Sequence, residues 1–346
     1  MSKTALITGA SGQDGAYLSR LLLRKGYRVL GAVRRTAAPR MSRLIELGIE
    51  NDVELVDFEL IELTNMMRAI EQTKPDEIYN LAAQSFVGLS FEQPIYTAEI
   101  DALGVSRLLE AIRTVKPDIR FYQASTSEMF GKVADPSKLQ SESTSFHPRS
   151  PYGVAKLFAH WLTINYRESY GFFGACGILF NHESPLRGRE FVTRKITAGL
   201  AEVKHGRRDT LALGNLEAKR DWGFAGDFVE GMWQMLQQPK ADDYVLATGT
   251  TTTVRRFIEL AAERLGFAVE WSGKAEQEQG IDRKTGKTIV RIDPQFYRPA
   301  EVDVLIGDAS KAKKKLSWIP ATDLAQLVTM MAEADDRRVR ENRLLF

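Results

Sequence analysis

Short apolar runs alternate with segments of helical period through the first half of the chain. Residues 4–8 read as a buried strand, and Tyr17, Leu18, Leu21 and Leu22 give an amphipathic helix ending near Lys25. Strand patterns recur at 28–33, 54–58, 77–81, 119–124 and 174–180, with helical spacing near 62–73, 96–115 and 152–170. Strands that alternate with helices in this way predict an α/β fold of Rossmann type, a doubly wound parallel sheet with helices on both faces. Beyond Asn181 the segments become shorter and richer in glycine and charge. The pattern therefore predicts a Rossmann domain over 1–180 and a smaller mixed α/β substrate-binding lobe built mainly from 181–346. Some of the later strands and helices are expected to return to the first sheet. Residues 272–290 read as an exposed loop or hairpin turning at Thr285-Gly286, and 323–340 as an amphipathic helix packed on the lobe.

Composition narrows the function more by exclusion than by assertion. A net charge of +2 gives no reason to expect nucleic acid or a membrane surface as partner. The single cysteine, Cys176, excludes an intrachain disulfide. Four histidines (His147, His160, His182 and His205) show no ligand spacing, so no metal is expected. Met1-Ser2-Lys3 runs straight into a strand pattern, and no apolar run approaches the roughly 18 residues of a membrane span. A cytoplasmic chain is the expectation.

The chemistry gathers at the ends of the predicted strands. Gly9, Gly12 and Gly15 lie three apart between the first strand and the first helix. Strand, glycine turn and helix are the context in which backbone amides approach a pyrophosphate at the positive end of a helix. A tight turn that binds nothing is the bland alternative. The second strand ends in Arg34-Arg35, where an NAD site usually places an acid, so the pair suits the 2′-phosphate of NADP. A solvated basic loop is the alternative there. Small residues at Leu81-Ala82-Ala83-Gln84-Ser85 suit a cofactor lying across the sheet edge.

Two further stretches add reactive groups. Ala124-Ser125-Thr126-Ser127-Glu128 closes an apolar strand, and Ser150 caps a helix that begins at Pro151. Tyr152 and Lys156, four apart, share a helix face, and a nearby ammonium is expected to pull the phenol below its usual pKa. Thr126 offers a hydroxyl donor, and Glu128 a second acid/base group. In the second half, Asn181-His182-Glu183, Lys195, Lys219-Arg220-Asp221-Trp222 and Arg298-Pro299-Ala300-Glu301 place cations beside aromatics, as a diphosphate clamp and a base stack require. Surface charge around a small core is the alternative for each cluster. Gly280 and Gly286-Lys287-Thr288 imitate a phosphate-binding loop, but five residues separate the glycines and the preceding run is too polar for a buried strand.

Taken together, GxxGxxG, the Ser/Thr-rich strand end and YxxxK resemble the extended short-chain dehydrogenase/reductase family. Within it the chain resembles the GDP-mannose 4,6-dehydratases over nearly its full length, through GASGQDGAYL, LAAQSFVG, QASTSEMFG, RSPYGVAK, GILFNHESPLRG, KRDWGFAGDFVE and YRPAEVD. The resemblance implies a catalytic set of Thr126, Glu128 and Tyr152, with Lys156 serving both Tyr152 and a nicotinamide ribose. It implies NADP contacts from Gly9, Gly12, Gln13, Asp14, Gly15, Arg34, Glu59, Leu60, Leu81, Ala82, Ala83, Ser85, Tyr96, His182 and Arg187. Ser85, Asn181, Lys195, Gly214, Arg220, Arg298 and Glu301 would hold GDP-mannose, and the chain would form a homodimer or homotetramer. One departure is visible: the family usually has an Asp-Leu pair near the adenine, where this chain has Glu59-Leu60. The loop 36–40, which in the family reaches a neighbouring subunit's cofactor, is also poorer in serine than usual.

The implied reaction oxidises C4 of the mannose, removes the C5 proton, expels water from C6 and returns hydride to C6, so that NADP is recycled. The product would be GDP-4-dehydro-6-deoxy-mannose. A 4-epimerase, a 4-keto reductase or a decarboxylase on the same scaffold is the rival, and a non-catalytic NADP-binding protein the rival of another class. An epimerase never touches C5 and has no need of a carboxylate at position 128.

Overall fold

Thr4–Thr8 buries Ala5, Leu6, Ile7 and Thr8, and strands apolar on both faces belong in the middle of a sheet covered by helices. In the computed structural model, which describes residues 2–36, 41–133, 135, 137–296 and 305–343, this strand lies within a sheet of seven parallel strands. Their order is 243–246, 174–179, 120–126, 77–80, 4–8, 28–33 and 54–57. The chain first winds outward through Arg28–Val33 and Glu54–Asp57, then returns to pair Glu77–Asn80 with the other side of Thr4–Thr8. That reversal is a topological switch point, where a crevice opens at the carboxyl ends of the strands.

The seventh strand, Asp243–Leu246, comes from the second half of the chain and pairs with Gly174–Leu179. It brings neighbours with it. Phe228, Met232 and Leu236 of the helix Ala225–Gln237, together with Leu316 and Trp318, join Tyr17, Leu18 and Leu22 in one buried cluster. A second cluster holds Ile196, Leu200, Phe257, Ile258, Val290, Val328 and Met331. Here the helices Val192–Lys204, Val254–Leu265 and Leu324–Arg340 pack beside a four-stranded mixed sheet. The second half of the chain thus feeds both cores. Within that small sheet, 279–282 and 288–292 form a hairpin whose turn passes through Gly286 at φ +70. Thr288 opens a strand where a phosphate-binding loop would start a helix.

The predicted helix near 96–115 is three pieces in one run. Pro94–Ala98 leads into a π-helical turn, Glu99–Leu103, and then into Gly104–Val115. Between the two cores lies a buried ionic cluster. Arg194 pairs with Asp335 at 2.7 Å, and Arg338 bonds both Asp335 at 3.1 Å and Glu46 of the Ser42–Glu46 helix at 3.0 Å. Among the described residues, no helix is long and apolar enough to cross a membrane.

Candidate active site

Two short-range features fix the cofactor end of the crevice. Gly9 adopts φ +70, and a Cβ there would lie 2.9 Å from the backbone nitrogen of Ala82. A Cβ on Gly15 would overlap the carbonyl of Gly9. Both positions exclude side chains because the first strand, the turn and the fourth strand meet there. Gly12 is the N-cap of the helix Gln13–Arg24 and offers no side chain to its first amides, which border the cavity. Beneath the turn, Thr8 Oγ1 donates to Asn80 Oδ1 (2.7 Å) and accepts from the backbone nitrogens of Leu81 (3.0 Å) and Ala82 (3.1 Å). Asn80 in turn donates to Gln123 (2.9 Å). This buried polar ladder sets the height of three strand ends.

The turn is also tied to the far side of the sheet. His182 Nε2 lies 2.8 Å from Asp14 Oδ2, its Nδ1 lies 2.7 Å from the Phe180 carbonyl, and its ring stacks on Phe228 at 4.8 Å. Burial opposes the charges of both partners. Even so, the Asp14 carboxylate raises the His182 pKa, and His182 and Gln13 hold Asp14 below the usual carboxylate range. Gln13 bonds the His182 carbonyl (3.0 Å) and Ser184 (2.7 Å).

The reacting end is built where the strand Arg120–Thr126 meets the helix Pro151–Tyr170. Ser150 caps that helix through Gly153 N at 3.0 Å, with Pro151 in its first turn. Thr126 Oγ1 accepts from the backbone nitrogen of Glu128 at 3.2 Å, and the same hydroxyl favours the ionised form of Tyr152. Lys156 is 3% exposed and donates to the Ala124 carbonyl at 2.9 Å. The expected lowering of the Tyr152 phenol is not what this arrangement gives. Burial drives its pKa well above the ordinary value, the Asp101 and Glu128 charges add to the rise, and Thr126 opposes it. The Lys156 ammonium lies 5.9 Å from the Tyr152 ring centroid and does not outweigh burial.

The glycine turn, Asp14, His182, Thr126, Glu128, Tyr152 and Lys156 border one cavity of about 1470 Å³. That exceeds the roughly 300–1,000 Å³ of a site for one drug-sized ligand, so there is room for two extended ones. Every site residue that the family resemblance implies, within the described set, borders it, from Gly9 through Arg34, Glu59, Leu60, Tyr96 and Ser85 to Asn181, Arg187, Lys195, Gly214 and Arg220, whereas Arg35, Lys219 and Asp221 do not. Arg298 and Glu301 lie outside the described residues. Arg34 reaches Tyr96 OH (3.4 Å), whereas Arg35 turns outward to Asp57 at 3.9 Å. Arg187 is paired with Glu183 at 3.0 Å and lies 3.5 Å over the Phe191 ring.

Two further lining aromatics, Phe191 and Phe296, lie outside the quoted motifs. Phe86 meets Phe191 edge to face at 6.0 Å, and Phe296 receives the Lys195 ammonium at 3.1 Å from its ring centre. A chance apolar spacing was the signal available for them. Asp101, behind Lys156, was hidden inside a helical period. A trio of potential ligands, His160, Cys176 and Asp243, lies within 4.8 Å. Asp243 is engaged by two bonds from Arg167, and His160 by Ser125 at 3.0 Å, so the trio reads as packing.

The doubly wound sheet, the glycine turn and a Tyr/Lys helix at its carboxyl edge define an extended short-chain dehydrogenase/reductase. Comparison with known proteins narrows the class. The sequence profile described as GDP-mannose 4,6 dehydratase matches residues 6–331, and the chain belongs to that family. The GDP-mannose 4,6-dehydratase of Sinorhizobium fredii (strain HH103) is 50% identical over 99% of both chains. The GDP-mannose 4,6 dehydratase of Homo sapiens is 48% identical, over 98% of this chain and 92% of that one. Among solved structures, dTDP-glucose 4,6-dehydratase from Bacillus anthracis, in complex with NAD, shares the fold with a TM-score of 0.80 at 18% identity. That match covers 98% of each chain.

Proposed function

We propose that the protein is an NADP-dependent hydro-lyase that converts GDP-mannose to GDP-4-dehydro-6-deoxy-mannose and water. The observation that carries this reading is Glu128 itself, a carboxylate residue bordering the same cavity as Thr126, Tyr152 and Lys156. Oxidation alone needs Tyr152 and Lys156; a base next to the ketone turns oxidation into elimination.

The residues fit a dinucleotide. The close approach of Gly9 to Ala82 and of Gly15 to Gly9 leaves backbone and not side chains around the first helical amides, which supports a pyrophosphate there. Arg34, directed into the cavity, would meet a 2′-phosphate, and the family's adenine position would fall to Glu59 and Leu60. Held there, the dinucleotide would supply a hydride acceptor for C4 and, once reduced, the hydride for C6. Tyr152, with its proton removed, takes the proton of the 4-hydroxyl, and Lys156 supplies the cation that favours this state. Thr126 donates to the 4-oxygen as its charge changes. Glu128 takes the C5 proton and, now an acid, gives it to the departing C6 hydroxyl. Once hydride has reached C6, C5 is reprotonated, which balances the proton that Tyr152 took from the 4-hydroxyl and releases through solvent. The diphosphate and base of GDP-mannose would rest on Asn181, Lys195, Gly214 and Arg220, with Arg298 and Glu301 completing the family's set and Ser85 touching the sugar.

A homo-oligomer is proposed as well. Val154, Phe158 and Trp161 recur on the outer side of the helix Pro151–Tyr170, and Phe91 and Ile95 on the short helices packed against it are exposed too. A cluster of that kind, with Ile95 77% exposed, suits a self-complementary face.

GDP-mannose deuterated at C4 tests the reaction. The product should lose one water, carry the label at C6 and leave the NADPH level unchanged. Label retained at C4, or NADPH accumulating with turnover, would overturn the reading.

A further inference from the structure

Lys156 is a charged group in an expensive place. It is 3% exposed, and its ammonium donates to the neutral carbonyl of Ala124. A buried ammonium is stable only with an opposite charge near it. Two carboxylates act on it, Asp101 more strongly than Asp14. Asp14 is already committed to His182 and to Gln13 Nε2 (3.0 Å). Asp101 is not. One of its oxygens accepts from Gln84 N at 2.8 Å, and Oδ2 is buried with no hydrogen-bond partner among the described residues.

The backbone shows how Asp101 comes to be there. Asp101 sits inside the π-helical turn Glu99–Leu103, and the side chain is 1% exposed. A π-turn inserts one residue into the helix and turns the following face relative to a regular α-helix. Here the distorted turn packs against the helix Pro151–Tyr170 that carries Lys156 and Tyr152. These two are the titratable groups electrostatically coupled to Asp101; the loop at the end of Glu77–Asn80 contributes the neutral Gln84 amide.

We propose that Asp101 is the counter-ion of the buried Lys156 ammonium, a positioning residue that acts through Lys156 on Tyr152. Burial pushes the Asp101 carboxyl up to about 6, which still leaves it ionised at neutral pH, and burial lowers the Lys156 pKa. At neutral pH Asp101 therefore faces Lys156 as a carboxylate. The negative charge that keeps Lys156 protonated also disfavours the Tyr152 phenolate directly. Lys156 and Asp101 thus act on Tyr152 with opposite sign, and the closer of the two to the phenol decides the balance. The kinetic arm of the test below rests on the proposed dehydratase reading; the spectroscopic arm does not.

The full-length protein is labelled with ¹³C at the lysine ε-carbon, and the Lys156 signal is assigned by its loss in Lys156→Arg. Its titration is followed in the wild type, in Asp101→Asn and in Asp101→Glu. Asp101→Asn keeps the shape and the Gln84 contact while removing the charge. It should lower the Lys156 midpoint by about one pH unit or more, a tenfold loss of proton affinity. Asp101→Glu, which keeps the charge, should stay near the wild-type midpoint. An unchanged midpoint in Asp101→Asn overturns the proposal. Should that variant not fold, Asp101→Ser is smaller, equally neutral and carries the same expectation. With GDP-mannose, Asp101→Asn should also bring the alkaline limit of kcat down by the same interval while KM changes little. A merely structural role would lower kcat at every pH alike. A wild-type enzyme that fails to dehydrate GDP-mannose would count against the functional reading and leave the ¹³C titration to decide this one.

Discussion

Gly153 lies so close to Glu128 that a Cβ on it would sit 3.0 Å from the Glu128 carbonyl oxygen. The absent side chain lets the first turn of the Tyr152 helix press against the turn that carries the carboxylate. Glu128→Gln keeps that packing and removes the base. It should depress dehydration by roughly 10²–10⁴-fold, the usual worth of a general base, while oxidation at C4 persists. Reduced cofactor should then accumulate at its absorbance maximum after mixing with GDP-mannose. Full turnover in this variant would mean that the base is another group. Gly153→Ala should lower kcat as well, through displacement of the Glu128 turn.

Arg34 and Arg35 are adjacent in the chain, but only Arg34 borders the cavity, while Arg35 is drawn to Asp57. Arg34→Ala should therefore weaken NADP⁺ by about 1.5–3 kcal/mol, the range for a hydrogen bond to a charged group, and leave NAD⁺ nearly unaffected. Titration of cofactor binding by calorimetry checks this. Equal losses for both cofactors would remove the 2′-phosphate role, and a larger loss from Arg35→Ala would reassign it.

How much of this was legible in the chain depends on the range of the interaction. The glycine turn, the Ser150 cap and the Tyr152/Lys156 pair are local, so spacing along the chain declares them. Some later strand is expected to return to the first sheet, but nothing along the chain singles out Asp243–Leu246; its pairing with Gly174–Leu179 is settled by burial of Tyr244 and Leu246 against helices from both ends of the sequence. The π-turn at Glu99–Leu103 hardly disturbs the apolar period of its helix, and so conceals Asp101. The Tyr152 phenol shows the same limit from another side. Position along a helix reveals the neighbouring ammonium, but not the burial that outweighs it.

His182 and Asp14 join distant parts of the chain, and their coupling makes stability depend on pH. The His182 pKa is raised above 6.5, so its contribution is complete below that value and is lost as pH rises through the folded-state pKa. Asp14 is lowered below 3.8, so its share is present above that value and lost as pH falls through its own folded-state pKa. His182→Gln should cost about 1.5–3 kcal/mol near pH 6, with the gap from wild type narrowing as pH rises through the folded-state pKa of His182. Denaturant unfolding of both proteins across that range measures it. A gap that widens with pH would contradict the assigned charge pair.

Trp161, 55% exposed, stands with Phe158 and Val154 on the outer side of the helix whose inner side carries Lys156 and His160. Trp161→Glu should dissociate the proposed oligomer, because a two-fold face would bury the introduced carboxylate twice. Sedimentation velocity should show a shift to a species of 38.9 kDa. An unchanged assembly would place the interface elsewhere, and a wild type already at that mass would refute the oligomer.

Arg194 serves two functions that a pair of variants can separate. It is fully buried against Asp335, and its Nη1 also donates to the carbonyls of Pro185 (3.0 Å) and Arg187 (2.7 Å). The first contact belongs to the joint between the cores; the second pair holds the loop that presents Arg187 to the cavity. Arg194→Met should destabilise the protein by roughly 3–5 kcal/mol, because Asp335 keeps its charge and loses a partner. Adding Asp335→Leu removes that charge and should recover much of the loss, since apolar replacements of a buried pair are often neutral. Arg338 then loses one acceptor but retains Glu46. The double variant still lacks both bonds to the 185–187 loop. Its cofactor affinity should therefore remain impaired after stability returns, and if affinity returned in step with stability, Arg194 would be a structural residue alone.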